Sequence, residues 1–181
     1  MNRGYHEIKE HGKREFPFNI YPCSIPVDFS HVALHWHEEM EIIAVKKGKG
    51  RITVDTVSYP VEEGDILAVF PGQLHAISCG NGERMEYENI IFRLSMLMGD
   101  NGDGCTVHFL KPLQEGQAKN PVLIQRNQPD HEVFGKVIQE LDRFSEIRGN
   151  GYQLAVKGQL FLFLYYAYGR GILFTEKKPG H

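Results

Sequence analysis

Residues 35–41 read His35-Trp36-His37-Glu38-Glu39-Met40-Glu41, and Gly48 follows them. A second segment begins at Gly64-Asp65 and ends with Pro71-Gly72-Gln73-Leu74-His75. Because side chains alternate between the two faces of a strand, His35, His37 and Glu41 would lie on one face of a continuous strand. Three imidazoles and one carboxylate form a mixed nitrogen and oxygen set that suits a divalent first-row metal such as Zn, Ni, Mn, Fe or Co. The pattern therefore predicts a metal site at His35, His37, Glu41 and His75.

Short β-rich runs separated by turn residues surround these two segments. Pairs and triplets such as Lys47-Gly48, Pro71-Gly72 and Gly80-Asn81-Gly82 are typical of turns between strands. Short strands at close spacing predict an all-β sandwich or barrel. The predicted strands are Phe16–Ile20, Glu41–Lys46, Arg51–Val57, Ile66–Phe70, Tyr87–Leu94, Thr106–Leu110 and Val122–Ile124.

The hydrophobic period changes near residue 127. Steps of three and four residues predict one helix, marked by Phe134, Val137, Ile138, Leu141 and Phe144. Gly149-Asn150-Gly151 ends it, and a second helix is predicted from about Tyr152 to Tyr168, apolar on nearly all sides. We expect a β-barrel with an N-terminal arm over 1–126 and a helical hairpin over 127–181, which packs on the barrel and serves dimerisation.

Composition excludes several classes of protein. The 181 residues carry 20 basic and 23 acidic side chains, so the net charge of −3 disfavours a broad nucleic-acid-binding face. The longest apolar run, 160–168, is too short to cross a membrane, and no secretory signal is expected at the N-terminus. Three cysteines without CxxC spacing indicate free thiols and favour the cytoplasm.

The two segments resemble the two sequence motifs of the cupin superfamily, G-x5-H-x-H-x3,4-E-x6-G and G-x5-P-x-G-x2-H-x3-N. The similarity covers about residues 15–110 and implies a double-stranded β-helix, or jelly roll. Three positions depart from the pattern: Phe29 stands in place of the first glycine, Pro71 comes one place late, and Cys79 replaces the final asparagine. All four positions that bind metal in metallo-cupins are kept in this chain.

A narrower resemblance covers nearly the whole chain. The segments His35-x-His37-x-x-x-Glu41-Ile-Ile-x-Val-x-x-Gly48 and Gly64-Asp65-Ile-Leu-x-Val-x-Pro71-Gly72-x-x-His75 are similar to the sensor domain of AraC-type transcription regulators. That family follows its barrel with an apolar helical pair used for dimerisation, and then adds two helix-turn-helix units. Since the sequence stops at His181, the resemblance implies a sensing and dimerisation domain without its DNA-binding part.

Two functions follow from these resemblances. The first is a non-enzymatic, small-molecule-sensing homodimer that reaches DNA only through a helix-turn-helix region outside this chain. The alternative is a small metal-dependent cupin enzyme, a dioxygenase or an isomerase, which would use the same four residues. The apolar C-terminal hairpin favours the sensor, because a minimal catalytic cupin does not need it.

The effector is expected inside the barrel, against the face that carries His35, His37, Glu41 and His75. Inward positions of a jelly roll are mostly apolar, so a cluster of polar groups there needs a partner: a metal, ordered water or a polar ligand. Tyr87 and Asn89 share one face of a predicted strand and are candidate further contacts. The alternative interpretation is a filled core in which the four polar residues bond to one another without metal.

Overall fold

The computed structural model describes residues 3–7, 9 and 11–175. No helix in these ranges combines the length and apolarity needed to span a bilayer. Within these ranges the chain forms eight strands, one short α-helix, and two long α-helices that follow the last strand. Their bounds are β1 Phe18–Ile25, β2 Val32–His35, β3 Met40–Val54, β4 Val57–Glu62, β5 Ile66–Val69, β6 His75–Ser78, β7 Met85–Phe92 and β8 Val122–Ile124, with α1 Lys111–Gln114, α2 His131–Ile147 and α3 Tyr152–Gly169.

The strands form two antiparallel layers that share one long strand. The first layer has the order β1-β7-β3-β5-β8, and in the second β6 lies between β2 and the end of β3, while β4 pairs with the other edge of β3. The first half of β3 belongs to one layer and its second half to the other. This arrangement confirms the predicted cupin jelly roll.

Gly48 lies where β3 passes from one layer to the other. Its φ is +77°, a left-handed conformation that favours glycine, and an added Cβ would collide with the main-chain oxygen of Arg84. Pairing with β7 ends at Gly48, and pairing with β4 begins at Lys49. The glycine that closes the first motif is therefore required by the change of layer.

Two hydrophobic cores lie on opposite faces of the first layer. The inner core fills the space between the layers and includes Ile43 and Val45, as the alternation predicted. The outer core joins the other face of the first layer to α2 and α3. The four residues Phe134, Val137, Ile138 and Leu141 are all buried in this core. The hairpin and the barrel contribute residues to the same hydrophobic core. The domain boundary expected between residues 126 and 127 therefore remains a prediction.

One predicted strand is wrong. Thr106–Leu110 forms a π-helical turn that leads into α1. Asp103 starts it by accepting hydrogen bonds from the main-chain N–H and the hydroxyl of Thr106. Thr106 and Leu110 are buried and the three residues between them are exposed, which is a helical spacing rather than the alternation of a strand. The β-branched residues at 106 and 107 suggested the strand, but the local cap determines the conformation.

Three further strands, β2, β4 and β6, were not predicted. Each is short, and each carries polar residues that do not stand out from the surrounding turns. Cys23, Cys79 and Cys105 are free thiols in the structure.

Candidate functional site

The four predicted metal ligands come from three elements and the connection between two of them. His35 ends β2 and pairs in register with His75, the first residue of β6. Glu41 is the second residue of β3, and His37 lies in the connection 36–39. The prediction of one continuous strand is therefore wrong: β2 belongs to the second layer and β3 begins in the first, so the chain crosses between layers here. All three side chains nevertheless point inward.

The structure brings the four side chains together as a compact tetrad. One potential ligand atom from each of His35, His37, Glu41 and His75 lies within 4.8 Å of the other three. The Oε2 atom of Glu41 is 2.9 Å from His37 Nε2 and 3.1 Å from His75 Nε2. The rings of His35 and His75 are 4.2 Å apart between centroids. Three members are buried and His35 is half-buried.

The three imidazoles are oriented in the same way. The Nδ1 atom of His35 donates to the main-chain oxygen of Ala33 at 2.8 Å. In the same manner His37 Nδ1 donates to Glu39 O at 3.1 Å, and His75 Nδ1 donates to Gln73 O at 2.9 Å. A carbonyl can only accept, so each Nδ1 carries a proton. Each Nε2 is then the atom available to the centre of the tetrad, as a histidine ligand requires.

In this orientation the Glu41 carboxylate faces the Nε2 atoms of His37 and His75. A positive charge is needed between each of these nitrogens and the carboxylate. With Nδ1 already protonated, His37 and His75 can approach the Glu41 carboxylate favourably only as imidazolium or across a shared cation. Burial alone would raise the pKa of the Glu41 carboxyl, but hydrogen bonds from both histidines hold it well below its usual range. Glu41 is therefore an anion in this site.

The pKa values of His37 and His35 are shifted in opposite directions. Burial alone would lower the pKa of His37, but the hydrogen bond to Glu41 and the nearby carboxylates raise it above its usual value. Burial, followed by the neighbouring His75, lowers the pKa of His35. A donor set of three neutral imidazole nitrogens and one carboxylate oxygen fits a divalent first-row metal.

A cavity of about 670 Å³ opens beside the tetrad. Of the predicted ligand-binding residues, His35, Glu41, Tyr87 and Asn89 line it. The face of β7 that carries Tyr87 and Asn89 therefore points inward, which the sequence alone left open. His37 and His75 lie behind this wall, so direct contact of those two with an effector stays a prediction.

Among the described residues of the cavity wall, His11, Tyr87 and Asn89 each have a buried polar atom without a hydrogen-bond partner. Within the described ranges, neither the Tyr87 hydroxyl nor Asn89 Oδ1 has a partner that meets hydrogen-bond geometry. Burial raises the pKa of Tyr87 well above its usual range, and it raises the pKa of the neighbouring Cys23 thiol to about 11. The Tyr87 hydroxyl and the Cys23 thiol are therefore neutral.

The comparisons with known proteins agree with this geometry. The family model of the AraC-like ligand binding domain matches residues 26–164. The chain belongs to this family. An uncharacterized HTH-type transcriptional regulator of Bacillus subtilis, YdeC, is 27% identical to this AraC-like domain over 88 residues. That match covers 48% of this chain and only 30% of the regulator, so the chain spans less than a third of that protein.

Solved cupins share parts of this AraC-like domain. A cupin protein from Bacteroides fragilis is 25% identical, with coverage of 48% of this chain and 70% of that one and a TM-score of 0.35. A Cupin 2 conserved barrel domain protein from Salinispora arenicola is 19% identical, with coverage of 53% and 87% and a TM-score of 0.41. The jelly-roll assignment rests on the order and register of the strands described above.

Two buried polar residues near the tetrad of this AraC-like domain were missed in the sequence. Glu39 shares the parity of His37 and Glu41, so the alternation could have identified it. His11 lies in the N-terminal segment, lines the cavity, and is only 5% exposed. Its Nδ1 pairs with the Tyr21 hydroxyl at 3.1 Å, a contact that no sequence pattern indicates.

Proposed function

We propose that this chain is the small-molecule-sensing domain of an AraC-type transcription regulator. The observation that carries the proposal is the 670 Å³ cavity, whose wall combines Glu41 and His35 with Tyr87 and Asn89. A concave site with apolar walls and a few convergent polar groups is the usual form of a small-molecule site. In a chain of the AraC-like ligand-binding family, such a cavity supports an effector in the barrel.

The unpaired polar atoms support a ligand rather than a filled core. A buried hydrogen-bonding group without a partner costs about 1–3 kcal/mol. The Tyr87 hydroxyl and Asn89 Oδ1 are both in that position among the residues described by the structure, and both border the open cavity. An effector with hydroxyl, amide or carboxyl groups would satisfy them. Binding would regulate the protein only if the effector prefers one packing of barrel and hairpin over another.

Removal of the Tyr87 hydroxyl should weaken effector binding. A panel of pentoses, hexoses and small mono- and dicarboxylic acids, titrated calorimetrically, would identify a binding compound. For that compound Tyr87→Phe should raise the dissociation constant about fivefold to tenfold, the value of one lost hydrogen bond. Asn89→Leu should have at least the same effect, since it removes two hydrogen-bonding groups.

Tyr59→Phe is the matched control for this experiment. Tyr59 is a half-buried residue of β4 that packs on the inner core and is not part of the cavity wall. Its variant should bind the compound as the wild type does. Equal affinity in Tyr87→Phe, Asn89→Leu and wild type would place the effector outside this cavity.

We propose further that the tetrad holds a divalent metal, Zn, Ni, Mn or Fe, beside the effector. The convergence of three Nε2 atoms and one carboxylate oxygen within 4.8 Å supports it. When bound, the metal would offer a Lewis-acidic contact on the cavity side of His35 and Glu41.

The same donor set supports the second candidate function, a cupin dioxygenase or isomerase. Incubation of metal-loaded protein with the bound compound separates the two: a sensor returns the compound with unchanged mass and an unchanged proton NMR spectrum, whereas a dioxygenase changes the mass and an isomerase changes the spectrum.

The protein is proposed to meet DNA through a separate helix-turn-helix region, in the cytoplasm and as a homodimer. The isolated 181-residue chain should therefore show no sequence-selective DNA binding, because it carries a net charge of −3. An electrophoretic mobility assay at two salt concentrations checks this. A shifted band that survives competitor DNA and weakens with salt would assign DNA binding to this chain itself.

A further inference from the structure

Glu39 is a buried carboxylate that is not part of the tetrad. It lies in the connection 36–39, and its side chain is only 4% exposed. Its Oε1 accepts a hydrogen bond from Arg93 Nε at 2.8 Å, and its Oε2 is 3.8 Å from His37 Nδ1. The main-chain oxygen of the same residue accepts the Nδ1 hydrogen bond of His37. Glu39 thus faces His37 with both its main chain and its side chain.

His37 is enclosed by carboxylates at both ring nitrogens. Its Nε2 faces Glu41 at 2.9 Å, inside the tetrad, and its Nδ1 faces Glu39 on the opposite side. In the ranges that the structure covers, the Nδ1 atoms of His35 and His75 contact only main-chain oxygens and no carboxylate. His37 therefore differs from the other two histidines in having a carboxylate on its Nδ1 side, whereas Glu7 faces His35 at Nε2, 3.5 Å away.

Arg93 holds Glu39 in this position. It follows directly after β7, the strand whose Tyr87 and Asn89 line the cavity. The main-chain N–H of Arg93 donates to Pro17 O at 3.0 Å, which fixes the arginine from the N-terminal side as well. A buried carboxylate is costly without a charged partner, and the Arg93 side chain provides Glu39 with one beside His37.

We propose that the Glu39 carboxylate, held by Arg93, is the positioning group that lies behind Nδ1 of His37, supports the ring orientation given by the main-chain hydrogen bond, and thereby raises the metal affinity of the tetrad. This inference rests on the proposed metal site. A carboxylate or carbonyl behind a histidine ligand orients the ring and increases its basicity, and its loss costs about 10–100-fold in metal affinity. Glu39 contributes a hydrogen-bonded carbonyl at 3.1 Å and a carboxylate at 3.8 Å to one imidazole.

Glu38 provides the matched control, because it is the neighbouring glutamate and is exposed. Zn²⁺ affinity would be measured by competition with a chromogenic chelator in wild type, Glu39→Gln, Glu38→Gln, Arg93→Met and Arg93→Lys. Glu39→Gln and Arg93→Met should raise the Zn²⁺ dissociation constant about tenfold or more. Arg93→Lys should fall between Arg93→Met and wild type. Glu38→Gln should remain within about twofold of wild type, as expected for an exposed charge.

A second measurement on metal-free protein keeps the inference separate from the metal site itself. Nitrogen-15 NMR of the histidine rings should show a slowly exchanging Nδ1–H signal of His37 in wild type and Glu38→Gln. The nitrogen-15 chemical shift of this signal should change in Glu39→Gln and Arg93→Met, which remove or release the carboxylate behind Nδ1, although the main-chain oxygen of residue 39 still accepts the hydrogen bond. If wild type binds no Zn²⁺, the metal proposal fails, and this signal alone decides whether Glu39 positions the ring.

A purely structural role would give a different result. Glu39→Gln would then lower the unfolding temperature, yet bind Zn²⁺ as tightly as Glu38→Gln and leave the chemical shift of the His37 Nδ1–H signal unchanged. That combination overturns the inference. Weaker Zn²⁺ binding together with a changed chemical shift, at an unfolding temperature close to that of Glu38→Gln, supports it.

Discussion

His37→Ala should bind divalent metal at least about 100-fold more weakly than the wild-type chain, since even the residues behind a ligand contribute about 10–100-fold. His37 Nε2 is one of three imidazole nitrogens that converge on the tetrad, and no other described histidine is positioned to replace it. Elemental analysis after reconstitution with Zn²⁺ or Mn²⁺, followed by desalting, should find the metal in wild type and not in the variant.

His108→Ala is the control, because His108 is an exposed histidine of the π-helical turn and lies outside the tetrad. It should retain the metal content of wild type. Circular dichroism should show that both variants keep the fold. Equal metal content in wild type and His37→Ala would remove these four residues as the metal site.

Metal loading should also fall on acidification. A histidine ligand must be neutral at Nε2, so protons compete with the metal. In the metal-free protein the pKa of His37 is raised above its usual value of 6.5, so the competing proton is already held near neutral pH. Loading should therefore be complete near pH 8 and largely lost by about pH 5. Metal content that is constant over this range would contradict histidine ligation.

The four residues of the tetrad could be predicted because the pattern that identifies them lies within two short stretches of sequence. The spacing of His35, His37 and Glu41 and the position of His75 after a glycine-bounded strand are visible in the sequence. The alternation correctly placed the three side chains inward, although the strand that was assumed does not exist. The chain crosses between layers at 36–39 because β2 pairs with β6, far along the chain. Such pairing depends on tertiary packing, which periodicity does not encode.

The surroundings of the tetrad could not be predicted for the same reason. Glu39 is important only because Arg93, at the end of β7, reaches it. His11 is buried only because Tyr21 and the cavity wall enclose it. In contrast, α2 was predicted closely, since its apolar face repeats at three- and four-residue steps and its contacts with α3 follow from that face.

The exposed face of α3 gives the second large prediction. The sequence indicated that 160–168 holds more apolar surface than one packing face can use, and the structure resolves which residues are in excess. Leu160, Phe163, Leu164 and Ala167 are buried in the outer core. A separate stripe remains in solvent, with exposed fractions of 77% for Leu154, 39% for Phe161, 43% for Leu162 and 72% for Tyr165.

This stripe lies along one side of the helix. Leu154, Phe161, Leu162 and Tyr165 follow one another at steps of seven, one and three residues, which keeps them on adjacent turns of one face. Gly158 lies between them, and a Cβ at that position would meet nothing within 4 Å. A contiguous apolar face with a small residue at its centre is suited to close packing against a second copy related by twofold symmetry.

Tyr165→Asp should therefore weaken the proposed dimer by at least about 100-fold, the loss expected for a charged residue at the centre of an apolar interface. Leu162→Asp should behave similarly. Light scattering across a micromolar dilution series should find a dimer for wild type and a monomer for either variant. When extrapolated to low protein concentration, the unfolding temperature of the two monomeric variants should remain close to that of the wild type. Neither side chain is part of the core.

Two further variants make the test specific. Gln153→Asp adds the same charge to an exposed position of α3 that lies about 100° around the helix from Leu154, so it should leave the dimer intact. Leu164→Asp introduces a charge at a side chain that is 3% exposed, and it should lower the free energy of unfolding by at least about 3 kcal/mol whatever the oligomeric state. A wild-type chain that is monomeric at micromolar concentration, with a mass unchanged by Tyr165→Asp, would refute dimerisation through this face.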